Sequence, residues 1–191
     1  MPRTRVLEAA DALFAEAGAS DAVSMDAIAA AAGIGKGTLF RAFGSRDKLL
    51  DALFAMRMGA LREAIETGPA PLGPDTPPRE RILGIMDAAL TFKLDNRPLI
   101  QAREVTAGGL LQADHYRWMH HTLRDLIERA AADTSPTGTS STGAPEADPG
   151  YAAHILLGAL RPDLIDELLA SGETPETLRA AQADLARRLL D

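Results

Sequence analysis

Residues 24–50, SMDAIAAAAGIGKGTLFRAFGSRDKLL, decide the reading of this chain, because they hold two short helical patterns joined by a glycine. Ser24 suits the cap of the first helix and Asp26 its positive end, while Ile28, Ala29 and Ala32 recur at helical spacing as a small apolar face. Gly33, free to take positive φ, allows a sharp turn before a second helix from Lys36 to Phe43 that stops at Gly44. At about 100° per residue, Leu39, Ala42 and Phe43 gather on one side of that helix, and Lys36, Gly37, Phe40 and Arg41 on the other. One face packs and the other is presented. The presented face carries two cations able to donate to guanine, a glycine that permits close approach, and an aromatic ring. Thr38 sits at its margin, within reach of a phosphate or a thymine methyl. Ser45 caps the next helix, so that Arg46 and the free N–H groups there point to where a phosphate would lie. The pattern is a helix-turn-helix suited to a DNA groove.

Two other readings of this stretch compete with that one. GIGKGT has the look of a phosphate-cradling loop, but Lys36 is followed by Gly37 in place of Ser or Thr, and Ala30 stands where that loop's first glycine belongs. An alanine-rich helical pattern also precedes it, where a strand is required. The plainer alternative is a three-helix packing unit whose charged face is merely solvated.

Together with the preceding helix TRVLEAADALFAEAG, the stretch resembles the DNA-binding domain of the TetR family of transcriptional regulators. The resemblance spans roughly the first fifty residues. It rests on the alanine–glycine turn (Ala32, Gly33), the G-T-L-aromatic-x-x-F run (Gly37, Thr38, Leu39, Phe40, Phe43) and the S-basic-acidic-x-L-L start of the next helix (Ser45, Arg46, Asp47, Leu49, Leu50). One position departs from the family pattern, which usually has tyrosine where this chain has Phe40. The phosphate hydrogen bond of that hydroxyl is then missing, which bears on affinity more than on function.

The chain's 191 residues, 46% of them hydrophobic, suffice for a buried core and for one domain or two small ones. There is no cysteine, no apolar run long enough to span a bilayer, and no basic-then-apolar leader, so a cytoplasmic location without disulfides or thiolate metal sites is expected. A formal net charge of −7 is unfavourable for binding DNA until its distribution is considered. Acidic and basic residues balance over the first fifty, and all the excess acid lies beyond them. Between residues 33 and 50, Lys36, Arg41, Arg46 and Lys48 face only Asp47, which leaves positive charge where the duplex would approach.

Helical spacing predicts a first helix over residues 4–17, stopped by Gly18, and a fourth that starts at Ser45 and continues through Leu53, Leu61 and Ile65 as one rod. GPAPLGPDTPP ends that rod, and a fifth helix follows over 79–95. Pro98 opens a sixth, Gly108 and Gly109 end it, and residues 110–131 read as a seventh. Residues 133–148 are Ser, Thr, Gly and Pro with almost no apolar side chain, and read as a mobile linker. The last two helices are expected over 151–170 and 175–190. The expected fold is all-α, about nine helices, with a three-helix helix-turn-helix DNA-binding domain at 1–47 and a helical effector-binding and dimerisation domain at 48–191.

The remaining candidates follow from this division. In the family the last two long helices pair with those of a second subunit as a four-helix bundle. Here Ile155, Gly158 and Ala159 allow close approach, and Leu178, Leu185 and Leu189 lie on a stripe with Ala181. The ordinary reading of such stripes is intrachain core. The family also implies a small-molecule pocket. Met56, Met86, Phe92, Tyr116, Trp118 and Met119 are suited to line it, with Arg103 and Glu104 as polar anchors one helical turn after Leu99 and Ile100. The alternative is that these apolar residues fill the core and the charged pair is solvated. His115, His120, His121 and His154 form no i, i+4 pair and stand near no nucleophile motif, so no metal or cofactor is expected. The resulting expectation is a homodimeric repressor that binds a palindromic operator until a small-molecule effector releases it. A helical protein-interaction or architectural module, and a helical enzyme, are the alternatives.

Overall fold

The computed structural model describes residues 2–16, 23–103, 114–134 and 148–190, and among these every regular element is a helix. In order they are α1 (Pro2–Glu16), α2 (Met25–Ala31), α3 (Lys36–Phe43), α4 (Arg46–Thr67), α5 (Pro78–Asp95), α6 (Arg97–Ala102), α7 (Asp114–Thr134), α8 (Pro149–Gly158), α9 (Pro162–Ala170) and α10 (Pro175–Leu190). The described residues thus hold ten helices where the sequence suggests about nine. The extra one comes from Pro162, which cannot continue a helix and drives the residue before it to extended backbone. Arg161 accordingly has φ −63° and ψ 131°, and the helix expected over 151–170 is split into α8 and α9. α6 is also shorter than expected, because Arg103 is already extended. Gly18, Gly108, Gly109 and most of the linker lie outside the described residues.

The described chain divides into two compact units, and the division falls within α4. The first contains the residues up to Ala60 together with those from Asp95 to Arg103. In it α1, α2 and α3 pack on one another. Val6 and Phe14 of α1, Ile28 of α2, and Leu39 and Phe43 of α3 are all buried, so burial of apolar surface holds the three short helices together. Arg57 of α4 ties this unit across long sequence separations. Its Nε donates to Asp11 Oδ1 (2.6 Å), one terminal nitrogen to Asp11 O (2.9 Å) and the other to the buried Asn96 Oδ1 (2.7 Å).

The second unit has its own core, in which Ile82, Ile85 and Met86 of α5 meet Leu123 and Leu126 of α7, Leu156 of α8 and Ile165 of α9. The segment between α4 and α5 is anchored by a buried arginine. Arg81 donates to Leu72 O (2.7 Å) and to Ile65 O (2.6 Å), and burial, reinforced by the Arg129 charge, lowers its pKa from the ordinary value. α10 is fixed by Gln182, buried, whose amide donates to Met86 O at 2.9 Å.

Candidate nucleic-acid interface

The turn that presents α3 is built from local chemistry. Ser24 caps α2, its hydroxyl accepting from the Ala27 N–H. At the other end Gly33 takes φ +65°. This lets the Gly33 N–H reach Ala30 O and the Ile34 N–H reach Ala29 O, both at 3.0 Å, so two otherwise orphaned carbonyls are satisfied. Arg5 of α1 adds a third bond there, to Ala32 O at 3.1 Å. Gly35 then starts α3 without a side-chain cap, and Gly44 at φ +82° ends it. Ser45 Oγ accepts from the Lys48 N–H, capping the start of α4 as expected.

α3 divides into the two faces read from its sequence. Leu39 and Phe43 are buried, whereas Lys36, Gly37, Phe40 and Arg41 are exposed and Thr38 is half-buried. Phe40 leaves 39% of its surface open to solvent, a large exposure for an apolar ring. A Cβ built on Gly37 would meet nothing within 4 Å, so nothing among the described residues requires glycine there. The cations are not idle: Lys36 Nζ pairs with Asp26 Oδ1 at 2.8 Å, and Arg41 donates to Thr38 Oγ1 at 3.3 Å.

Arg46 is the correction on this surface. It was expected to point at a phosphate, yet it is half-buried and donates to Val23 O at 3.0 Å, bracing the start of α4 against the strand of chain that enters α2. Two further arginines, absent from the sequence argument, also support the unit: Arg5 as above, and Arg3, whose guanidinium lies 4.7 Å from the Phe43 ring centroid. Both lie on α1 near its start, and nothing local signals which carbonyl or ring each will meet.

Residues 6–53 match the sequence model of a family described as bacterial regulatory proteins, tetR family. Over nearly its whole length the chain also has the fold of solved regulators. A TetR-like transcriptional regulator from Rhodococcus sp. RHA1 is 23% identical, with 98% of this chain and 94% of that one covered and a TM-score of 0.57. NalD, the secondary repressor of the MexAB-OprM multidrug efflux pump in Pseudomonas aeruginosa, is 20% identical, with coverage of 98% and 94% and a TM-score of 0.55. A gamma-butyrolactone receptor, described as ArpA-like, is 20% identical, with coverage of 99% and 96% and a TM-score of 0.53. No curated protein sequence matches significantly. Residues 6–53 thus carry the sequence pattern of the tetR family, and the chain as a whole has the fold of solved TetR-like regulators.

TetR-family regulators act by binding DNA, so the match over residues 6–53 favours a DNA-binding chain over the helical-enzyme alternative. The other candidate residues are divided between the two units. Met56 and Arg103 belong to the first unit, and Met86, Phe92, Tyr116, Trp118 and Met119 to the second. Glu104 lies outside the described residues. Arg103 is neither solvated nor open, because it holds Asp51 at 2.6 Å and stacks 4.1 Å from the Phe54 ring centroid. Met86 and Met119 are buried in the second core, and Tyr116 and Trp118 pack at its edge. Trp118 donates from Nε1 to Glu66 Oε1 at 3.0 Å under the Arg62 guanidinium.

Among the residues expected at a subunit interface, Leu178 is buried in the chain's own core, on the face of α10 that also carries Gln182 and Ala186. Leu189 packs against the same core. Ile155, Gly158, Ala159 and Leu185 remain half-buried. His120 and His154 form a ring cluster with Tyr116 that spacing alone does not reveal. The His120 and His154 ring centroids are 4.0 Å apart, Tyr116 Oη lies 2.8 Å from His154 Nδ1, and His120 Nε2 lies 3.0 Å from Gly150 O. Loss of water around the ring, and then the neighbouring His120, lower the His154 pKa, while burial raises that of Tyr116. Among the described residues no three His, Cys, Asp or Glu are arranged to hold a metal ion, and no helix is long and apolar enough to cross a membrane.

Proposed function

We propose that this regulator is a cytoplasmic homodimeric repressor in which α3 of each subunit reads one half of an inverted repeat, and that a small-molecule effector releases it. The observation that carries the reading is the exposed face of α3. It combines Lys36, Arg41 and Phe40 with a glycine at position 37 that no described part of the chain crowds. Glycine inside a helix costs about 0.5–1 kcal/mol relative to alanine, so a close approach from outside is what gives it a purpose. Lys36 and Arg41 then donate to base edges, while Thr38 and Phe40 contact the backbone or a thymine methyl. On this reading DNA binding rests on residues 1–47, and effector binding and dimerisation on 48–191.

Pairing of two subunits is supported by apolar surface on the second unit. Tyr151 is 65% exposed on α8 and Leu164 41% exposed on α9, beside the half-buried Ile155, Gly158 and Ala159. An input through an effector is favoured by the likeness to the family and by Tyr116 and Trp118, which pack at the edge of the second core. Two neighbours of the same fold are described as a repressor and as a receptor. The test is selection from a pool of random duplex DNA. Recovered sites should form an inverted repeat whose half-sites lie about one helical turn apart, roughly 34 Å. Recovery of no sequence preference would refute the reading and favour an interaction or architectural module.

A further inference from the structure

The recognition cation at the start of α3 is held by an acid. Lys36 Nζ lies 2.8 Å from Asp26 Oδ1 and 3.1 Å from Oδ2, joining the first turn of α2 to the first turn of α3 across the turn at Gly33. Both side chains are exposed, at 58% and 68%, so the pair contributes little to stability, of order 0–1 kcal/mol. Asp26 is well placed at the positive end of α2, but that alone does not account for its grip on the one lysine of the presented face.

We infer that Asp26 is a specificity-determining residue of the DNA interface, an inference that rests on the reading of α3 given above. Binding to any duplex is driven by cations that neutralise phosphates, and an ammonium already paired with a carboxylate is a poor partner for a phosphate. Of its three N–H donors, however, Lys36 gives one to a hydrogen bond with Asp26 Oδ2 and, even with Oδ1 at 2.8 Å, keeps at least one. A remaining donor suits a neutral base acceptor such as guanine O6 or N7, which a nearby carboxylate does not repel. Asp26 therefore taxes binding to arbitrary sequence more than binding to the correct site, and it aims Lys36 at a base.

Asp26→Asn keeps the shape and removes the charge. Affinity is measured on two probes, a duplex selected by the wild-type protein and the unselected random pool, over a range of salt, with folding verified by circular dichroism. Affinity for the random pool should rise roughly 3- to 10-fold and its salt slope steepen by about 0.9, as for one added phosphate contact. The selected duplex should gain less than the pool does, so the ratio between the two should fall. In a Lys36→Gln background the same Asp26→Asn change should leave that ratio where it was. Equal gains on both probes, or the same loss of ratio without Lys36, would overturn the inference while leaving the base-reading helix intact. A wild-type protein that selects no sequence would overturn both.

Discussion

Arg57 ties α4 to α1 and to Asn96 within the first unit, and its replacement by methionine gives a defined loss. The guanidinium is only 16% exposed and makes three hydrogen bonds, to Asp11 Oδ1, Asp11 O and Asn96 Oδ1. The Asp11 carboxylate is 42% exposed, so its ion pair is worth at most about 1 kcal/mol. The bonds from a charged donor to the Asp11 carbonyl and to buried Asn96 are each worth about 1.5–3 kcal/mol. Methionine restores part of the apolar contact made by the arginine stem. The net loss expected for Arg57→Met is about 2–4 kcal/mol. In a urea titration followed by far-ultraviolet circular dichroism, the midpoint should fall by roughly 1–2 M with an unchanged slope. Arg57→Lys should fall between the two proteins, because one ammonium cannot serve three acceptors spread over α1 and Asn96. A loss below about 0.5 kcal/mol would refute the reasoning, since it would mean that water satisfies these acceptors equally well.

Gly33→Ala should cost about 1–2 kcal/mol, because φ is +65° there and the new Cβ would stand 3.4 Å from the Arg5 guanidinium; an unchanged melting temperature would contradict this. The lowered His154 pKa makes the folded chain prefer the neutral ring, so the unfolded chain takes up the proton first as pH falls. That stabilisation is present above about pH 6.5 and is lost as pH falls through the lowered folded value. Wild-type stability should drop between pH 7 and pH 5, and His154→Asn should flatten that drop; an identical profile would refute the assignment. Leu185→Glu should yield a folded monomer by sedimentation if α10 contributes to subunit pairing, whereas an unchanged mass would place the interface elsewhere.

The parts of this molecule that were legible in its sequence are those decided within a few residues. A positive-φ glycine after Ala32, serines at positions 24 and 45 that cap helices, and the 3.6-residue spacing of Leu39 and Phe43 all act locally, and they define α2, the turn and α3. Pro162 carried an equally local signal that the apolar run from 151 to 170 concealed. Contacts between distant residues left no such mark. Arg57 reaches a carbonyl 46 positions away, and Arg46 turns inward to one 23 positions away, because packing of whole helices brings those oxygens into range. The effector-site candidates were obscure for a different reason: a methionine that fills a core and one that lines a cavity obey the same periodicity, and Met86 and Met119 do the former here.

The central claim is that the exposed face of α3 reads bases, and the most direct test is to repeat the selection from random duplex DNA with Lys36→Ala and Arg41→Ala. If each cation donates to a base edge, each variant should lose preference at its own position in every half-site, with discrimination there reduced by about 1–3 kcal/mol. The rest of the inverted repeat should survive. If both variants recover the wild-type motif unchanged and merely bind all sequences more weakly, the two cations touch only phosphate and the claim fails.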